Sequence, residues 1–146
     1  MTEPIVLLSP ARLTLGQQLT ARLAVAAARL LAAAPPHRIR QVLHLLRRGC
    51  CLATAHHALA ARQAVVSVSV RCAGRACLQR SLATVLVCRM RGTWLTWCTG
   101  VRTCPFKAHA WVEVDGVPVG ETFGPGYYTT IMTVPSLQGG VAGENR

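Results

Sequence analysis

The sequence predicts an α+β domain whose helices come first and whose antiparallel sheet comes last. Three observations carry this reading. From about Pro10 to Gln63 the pattern is helical, with apolar residues three and four apart. From Cys77 to Arg91 a further helix runs unbroken and stops at Gly92, a residue that ends helices by adopting left-handed backbone angles. Beyond Gly92 the pattern turns to β, with alternating bulk and β-branched or aromatic residues.

In chain order, Ala11 to Ala34 is alanine- and leucine-rich, and Pro35-Pro36 ends it because proline cannot continue a helix. A second helix is expected from Arg38 to Arg48, with Ile39, Val42, Leu43 and Leu46 as its buried stripe and Gly49 as its stop. A third runs from Leu52 to Gln63. The alternating, β-branched Val65-Val66-Ser67-Val68-Ser69-Val70 reads as a short strand or as an extended lead into the Cys77 helix, with Ala73-Gly74-Arg75-Ala76 as the turn before it. Strands are then expected at Trp94 to Arg102, at Ala108 to Val114, at Val117 to Glu121 after Asp115-Gly116, and at Thr129 to Val134 after the Gly124-Pro125-Gly126 loop.

The length suits one domain with a real core. The expected division is an N-terminal extension at 1–9, one domain at 10–136 (helical part 10–63, catalytic core 64–136) and a flexible Gly-rich tail at 137–146. Apolar residues at 51% exclude a disordered chain, and charged residues at 14% fall well below the usual quarter. With 16 Lys+Arg against 5 Asp+Glu the formal charge is +11, a field that attracts anionic partners. The arginines are scattered singly through the helices, which favours a generally basic surface over a nucleic-acid stripe. No nucleic-acid partner is expected. Met1-Thr2-Glu3-Pro4 lacks the features of a secretory signal, and the seven cysteines follow no disulfide-scaffold spacing. Reduced thiols in a cytoplasm are the expectation. The longest apolar run, Leu23 to Ala34, is interrupted by Arg29 and too short for a membrane span.

The chemistry gathers at two positions. Cys77 opens its helix, where the partial positive charge of the helix start, with Arg75 and Arg80 nearby, favours a thiolate. His109, the only histidine of the C-terminal half, lies within the strand Ala108 to Val114. A thiol at a helix start and an imidazole on a rigid strand are the parts a cysteine hydrolase or acyl-transferase must bring together.

A third group usually holds the imidazole in orientation, and the five acids can be sorted. Glu3 and Glu144 are terminal. Glu113 lies on the His109 face but about 13 Å along the strand, and Asp115 is about 20 Å away in the turn. If Val114-Asp115-Gly116 form a three-residue loop with Gly116 in a left-handed bulge, Glu113 pairs with Val117 and, counting outward, His109 pairs with Glu121. A two-residue loop would place Glu121 opposite Ala110, facing the other way. Asp-Gly permits either. Pro118 argues that this second strand lies near an edge or is bulged.

Together, Cys77-Leu78-Gln79-Arg80-Ser81, the Trp94 to Arg102 run, Pro105-Phe106-Lys107-Ala108-His109-Ala110-Trp111-Val112-Glu113, and Asp115-Gly116 through Gly120-Glu121 resemble the transglutaminase-like leader peptidase of lasso-peptide biosynthesis, the stand-alone protease half of the maturation B protein. The resemblance spans Val70 to Glu121, about a third of the chain, and is unspecific over the N-terminal helices. It implies a papain-like fold and a Cys-His-acid triad with Cys77 as nucleophile, His109 as base and then acid, and Glu121 as the orienting acid. The wider superfamily more often has Asp in that third place. The backbone N–H of Cys77 would meet the oxyanion. Gln79, Arg80 and Phe106, from the same motifs, would flank the site, as would Trp111, two residues from His109 on one strand face. The resemblance also implies a precursor peptide as substrate, a separate leader-recognition protein that delivers it, and an ATP-dependent macrolactam synthetase that uses the freed core amine. The chain has no phosphate-binding loop of its own, and no cofactor is implied.

Other readings stand beside these. Cys77 could be a small buried hydrophobe, as Cys88 is expected to be, His109 a core histidine and Glu121 an exposed hairpin residue. Trp94, Trp97, Trp111 and Phe106 read as core or groove wall. Cys50, Cys51, Cys72, Cys98 and Cys104 with His37, His44, His56 and His57 lack the spacing of a zinc site, so no metal is expected. The alternatives for the whole chain are an enzyme that forms an amide or transfers an acyl group, and a non-catalytic basic binding module.

Overall fold

The computed structural model describes residues 13–74 and 76–137. Arg75, the expected extension at 1–9 and all but the first residue of the expected tail lie outside the described residues. Helix α1 spans Leu15–Ala32, α2 Pro36–Leu46, α3 Ala55–Val68, α4 Val70–Ala73 and α5 Cys77–Met90. The strands are β1 Cys51–Leu52, β2 Thr93–Trp94, β3 Thr96–Arg102, β4 Lys107–Val114, β5 Val117–Pro118 and β6 Thr129–Val134.

Capping chemistry sets the helix starts. Thr14 and Gln17 form a reciprocal capping box at α1, with the Gln17 N–H donating to Thr14 Oγ1 (3.2 Å) and the Thr14 N–H to Gln17 Oε1 (3.0 Å). Pro36 takes the first turn of α2, where its missing N–H costs nothing. Thr54 caps α3 through the His57 N–H at 3.1 Å, so that helix begins at Ala55 and not at Leu52. Cys51–Leu52 instead pairs in parallel with Thr93–Trp94, a two-strand contact that the sequence pattern does not announce.

The Val65 to Val70 stretch is helical, contrary to the strand or extended lead its β-branched residues suggest. Ala58, Ala61, Ala64 and Val65 form a buried stripe that carries α3 through to Val68, so burial overrides β-propensity there. Ser69 leaves the helix in an extended conformation, and its hydroxyl accepts the Cys72 N–H at 3.3 Å, starting the short α4.

Helix α5 is the centre of the molecule. Leu82, Ala83, Val85, Val87 and Cys88 are buried on several sides of it, as expected of a helix surrounded by protein. Alanines 21, 24 and 28 give α1 a small-residue face that packs on α5. The sheet, antiparallel throughout, lies on the other side in the order β5-β4-β3-β6. Trp97 ties the layers together: its Nε1 donates to Ser81 Oγ on α5 at 3.0 Å, and the indole is buried. Gly92, at φ 79°, ends the turn after α5. The expected Trp94 to Arg102 strand is divided at Leu95, because Trp94 pairs with β1 while Thr96 onward pairs with β4. No helix among the described residues is long and apolar enough to cross a membrane.

Candidate active site

Cys77 is the first residue of α5, so its sulfur sits beside backbone N–H groups that have no partner within the helix. Arg80 closes the turn before it by donating from Nη1 to the carbonyls of Cys72 (3.1 Å) and Gly74 (3.0 Å). Burial pushes the Cys77 thiol up, but a hydrogen bond with the His109 side chain, the Ala110 N–H and the charges of His109 and Arg80 outweigh it, leaving the pKa below the usual thiol value.

On the other side, His109 Nε2 lies 3.3 Å from Glu121 Oε2, with both side chains largely buried. This leaves Nδ1 as the ring nitrogen available to the thiol. The Glu121 contact is looser than a well-aligned hydrogen bond. Burial disfavours the charged ring, yet the hydrogen bonds with Cys77 and Glu121 and their charges prevail, and the His109 pKa is raised to about 9. The structure therefore brings Cys77, His109 and Glu121 into one chain of contacts.

Glu121 reaches that place by a route the strand counting did not foresee. Val114 pairs with Val117 and Glu113 with Pro118, so the loop is the two residues Asp115-Gly116, both left-handed at φ 53° and 78°. The three-residue register is thus incorrect, and continuing the true one would set Glu121 opposite Ala110. The ladder stops first. Val119 still donates to the Val112 carbonyl at 2.9 Å, and the next hydrogen-bonded pair would join Ala110 to residue 121. Gly120, at φ 68°, turns the chain out before that pair forms. The departure frees the Ala110 N–H for the Cys77 sulfur and swings Glu121 under the imidazole. The expected Val117 to Glu121 strand is accordingly only Val117–Pro118.

Arg62 of α3 supports this turn, and the sequence reading passed it over. A Cβ on Gly120 would come within 2.6 Å of Arg62 Cδ, so the arginine stem fills the space beneath the glycine. Burial lowers the Arg62 pKa, and the Glu121 charge partly opposes this, placing a cation behind the carboxylate. Its position four residues after Ala58 and three before Val65, on the buried stripe of α3, was the available signal.

Aromatic rings enclose the imidazole. Trp111 stacks at 6.1 Å between centroids, Tyr128 at 5.3 Å, and Phe123 meets His109 edge-on at 5.5 Å. The Trp111 indole lies against Gly100, where a Cβ would come within 2.8 Å of the ring. Its Nε1 donates to Glu113 Oε1 at 2.9 Å, so Glu113 holds the tryptophan and takes no part in the His109 contacts. Phe123 and Tyr128 were not anticipated; they come from the irregular segment between β5 and β6, which has no periodicity to read. Phe106 is 74% exposed before β4 and forms no ring contact with His109, so the expected flanking role falls to Phe123. Gln79 is half-buried two residues past Cys77, and its Oε1 has no protein partner. Asp115 is exposed at the hairpin tip.

All seven cysteines are free. Burial raises Cys88 to about 11 and Cys98 to about 12. Among the described residues no group of His, Cys, Asp or Glu side chains is arranged to hold a metal ion.

A helix-borne thiol set against a histidine-bearing antiparallel sheet defines an α+β fold. The family model described as the Transglutaminase-like superfamily matches residues 21–133, and the chain belongs to that superfamily. No curated protein and no solved structure matches it.

Proposed function

We propose that this protein is a cysteine peptidase that removes the leader from a ribosomally made lasso precursor peptide. The observation that carries the hydrolase part is the contact chain Cys77–His109–Glu121, with the thiol pKa lowered and the imidazole pKa raised to about 9. Both shifts favour the thiolate–imidazolium form of the pair. The lasso assignment is supported by the motif resemblance over Val70 to Glu121.

In this reading the Cys77 thiolate attacks the carbonyl carbon of the leader–core amide. The resulting oxyanion is met by the Cys77 N–H at the start of α5. His109 gives its Nδ1 proton to the departing core amine as the C–N bond breaks, leaving a thioester on Cys77. Neutral His109 then takes a proton from water, whose oxygen adds to the thioester carbon, and collapse releases the leader carboxylate and restores the thiolate. Glu121 keeps the ring oriented and stabilises its positive form. A separate recognition protein presents the precursor, and a separate ATP-dependent synthetase closes the ring on the freed amine. A cytoplasmic setting keeps the thiols reduced.

A second reading, acyl transfer to an amine, is favoured by one feature. Buried Trp111 and Tyr128 beside His109 limit the access of water to the imidazole. Product mass separates the two. Hydrolysis yields two fragments whose masses sum to the precursor plus one water, whereas transfer yields an amine adduct. Incubation with the precursor and its recognition protein should give the hydrolytic pair, and Cys77→Ala should give neither. Intact precursor with the wild-type protein under conditions that support the recognition complex would overturn the peptidase reading.

A further inference from the structure

The two edges of the sheet are built differently. At one edge, β5 is two residues long and contains Pro118, both devices that prevent another strand from adding. At the other, β6 runs for six residues, Thr129–Val134, with no charge and no proline, and among the described residues it pairs only with β3. Ile131 stands 66% exposed on it. A bulge at Ile131, where Thr99 pairs with Met132 and Gly100 with Thr130, is the one irregularity of this edge, and its uncharged length is a template for a further strand.

Above this edge lies a cleft of about 550 Å³, lined by His37, Arg40, Gln41 and His44 of α2 and by Ile131 and Met132 of β6. The α2 residues fall at i, i+3, i+4 and i+7, so they form one helix face. Arg47, one turn on, donates to the Pro135 carbonyl at 2.9 Å and ties the end of α2 to the chain after β6. The acids among the described residues, Glu113, Asp115 and Glu121, are on β4, its hairpin and the triad turn, so no carboxylate of α2 or β6 offsets Arg40.

We propose that this cleft is an exosite for an extended, acidic peptide segment, which adds as a strand to β6 with its carboxylates against Arg40 and the α2 histidines. The main-chain groups of β6 supply hydrogen bonds that only a polypeptide can use, and no aromatic platform for stacked bases lines the cleft. A second copy of the chain would bring its own +11 charge to a basic cleft, so self-pairing is opposed. His109 pairs with Gly100, which pairs with Thr130, so the exosite lies level with the triad but two strands away, roughly 10 Å. It would grip the peptide away from the bond that is cut. That the bound peptide is the enzyme's substrate rests on the peptidase reading; the binding itself does not.

The test uses the full chain carrying Cys77→Ala and a fluorescent peptide of alternating valine and glutamate, followed by anisotropy at low salt. Arg40→Glu with His44→Glu should weaken binding by about tenfold or more, while Arg22→Glu with Arg29→Glu on exposed α1 positions should leave it within about twofold. Circular dichroism checks that both pairs fold. The same peptide methylated at alternate backbone nitrogens, in either phase, should lose affinity in one phase. Equal losses from the two charge reversals, or undiminished binding of both methylated peptides, would overturn the proposal. So would an oligothymidylate that binds more tightly than the peptide and responds to the same α2 pair, or α2-dependent self-association seen by sedimentation. Binding of the model peptide, with the precursor left intact by the wild-type protein in the presence of its recognition protein, would retain the exosite and remove the peptidase reading.

Discussion

Cys77 and Cys88 lie on one helix, about three turns apart, in the same α5. Both have substantial burial acting to raise their pKa, and they diverge because of what surrounds each sulfur. Cys77 has the helix start, a histidine side chain, a released strand amide and an arginine charge. Cys88 has the threonine hydroxyl of Thr93 and Arg91 nearby, which are too weak against burial, and it stays a thiol with a pKa of about 11. The difference shows that the thiol pKa here is set by the end of the helix and the strand facing it, not by burial alone.

The sharpest way to break that comparison is alkylation read residue by residue by mass spectrometry. At neutral pH, Cys77 should react with iodoacetamide at least about 100-fold faster than Cys88, because thiolate fraction governs the rate. His109→Ala should remove most of that advantage and abolish precursor cleavage, as Cys77→Ala should, with circular dichroism unchanged. Equal labelling of the two cysteines in the wild-type protein would end the account of Cys77 as an activated nucleophile.

Next in size is the carboxylate. Glu121→Gln should lower kcat by roughly 100-fold, since the imidazole loses its orienting charge, while Asp115→Asn at the hairpin tip should leave kcat unchanged. The pH profile gives a second readout. In the peptidase reading turnover needs the imidazolium, which is present below the His109 pKa of about 9 and lost as the pH rises through it. The basic limb of kcat/KM should therefore fall near pH 9. In Glu121→Gln it should move down toward the ordinary histidine value of about 6.5. Cys77 and His109 titrate as a pair, so the limb belongs to that pair and not to one residue. A limb that does not move would separate Glu121 from His109 despite their contact.

The same contrast explains what could be read from the chain and what could not. Strands β3, β4 and β6 were legible because each has an alternating or β-branched pattern, and helix α5 because an unbroken run from Cys77 stops at Gly92. Thr129–Val134 matches the expected strand at both ends. Cys77 and His109 were legible as candidates because both sit on regular elements. The segment Val65 to Val70 was not, since its local preference for strand is overridden by the buried stripe of α3. Glu121 was identified through a hairpin of the wrong length, and its contact with His109 comes from a turn that no strand register describes. Phe123, Tyr128 and Arg62 escaped because their roles depend on tertiary placement, with only the stripe position of Arg62 leaving a trace.

The smallest expected effect tests that irregular turn. Gly120→Ala places a Cβ at φ 68° and within 2.6 Å of Arg62 Cδ. The left-handed conformation alone costs an alanine roughly 1–2 kcal/mol, and the clash adds to it unless the arginine moves. The variant should melt a few degrees lower and lose roughly tenfold in kcat with KM unchanged, because Glu121 shifts while the peptide-binding surface does not. Adding Arg62→Ala distinguishes packing from charge. Removing the long side chain relieves the clash, so part of the lost stability should return, but it also removes the cation behind Glu121, so kcat should not recover. Recovery of both would mean that Arg62 acts on Glu121 only through the space it occupies. Recovery of neither would place the damage in the backbone of residue 120 itself, with the turn, and not the guanidinium, holding the carboxylate under His109.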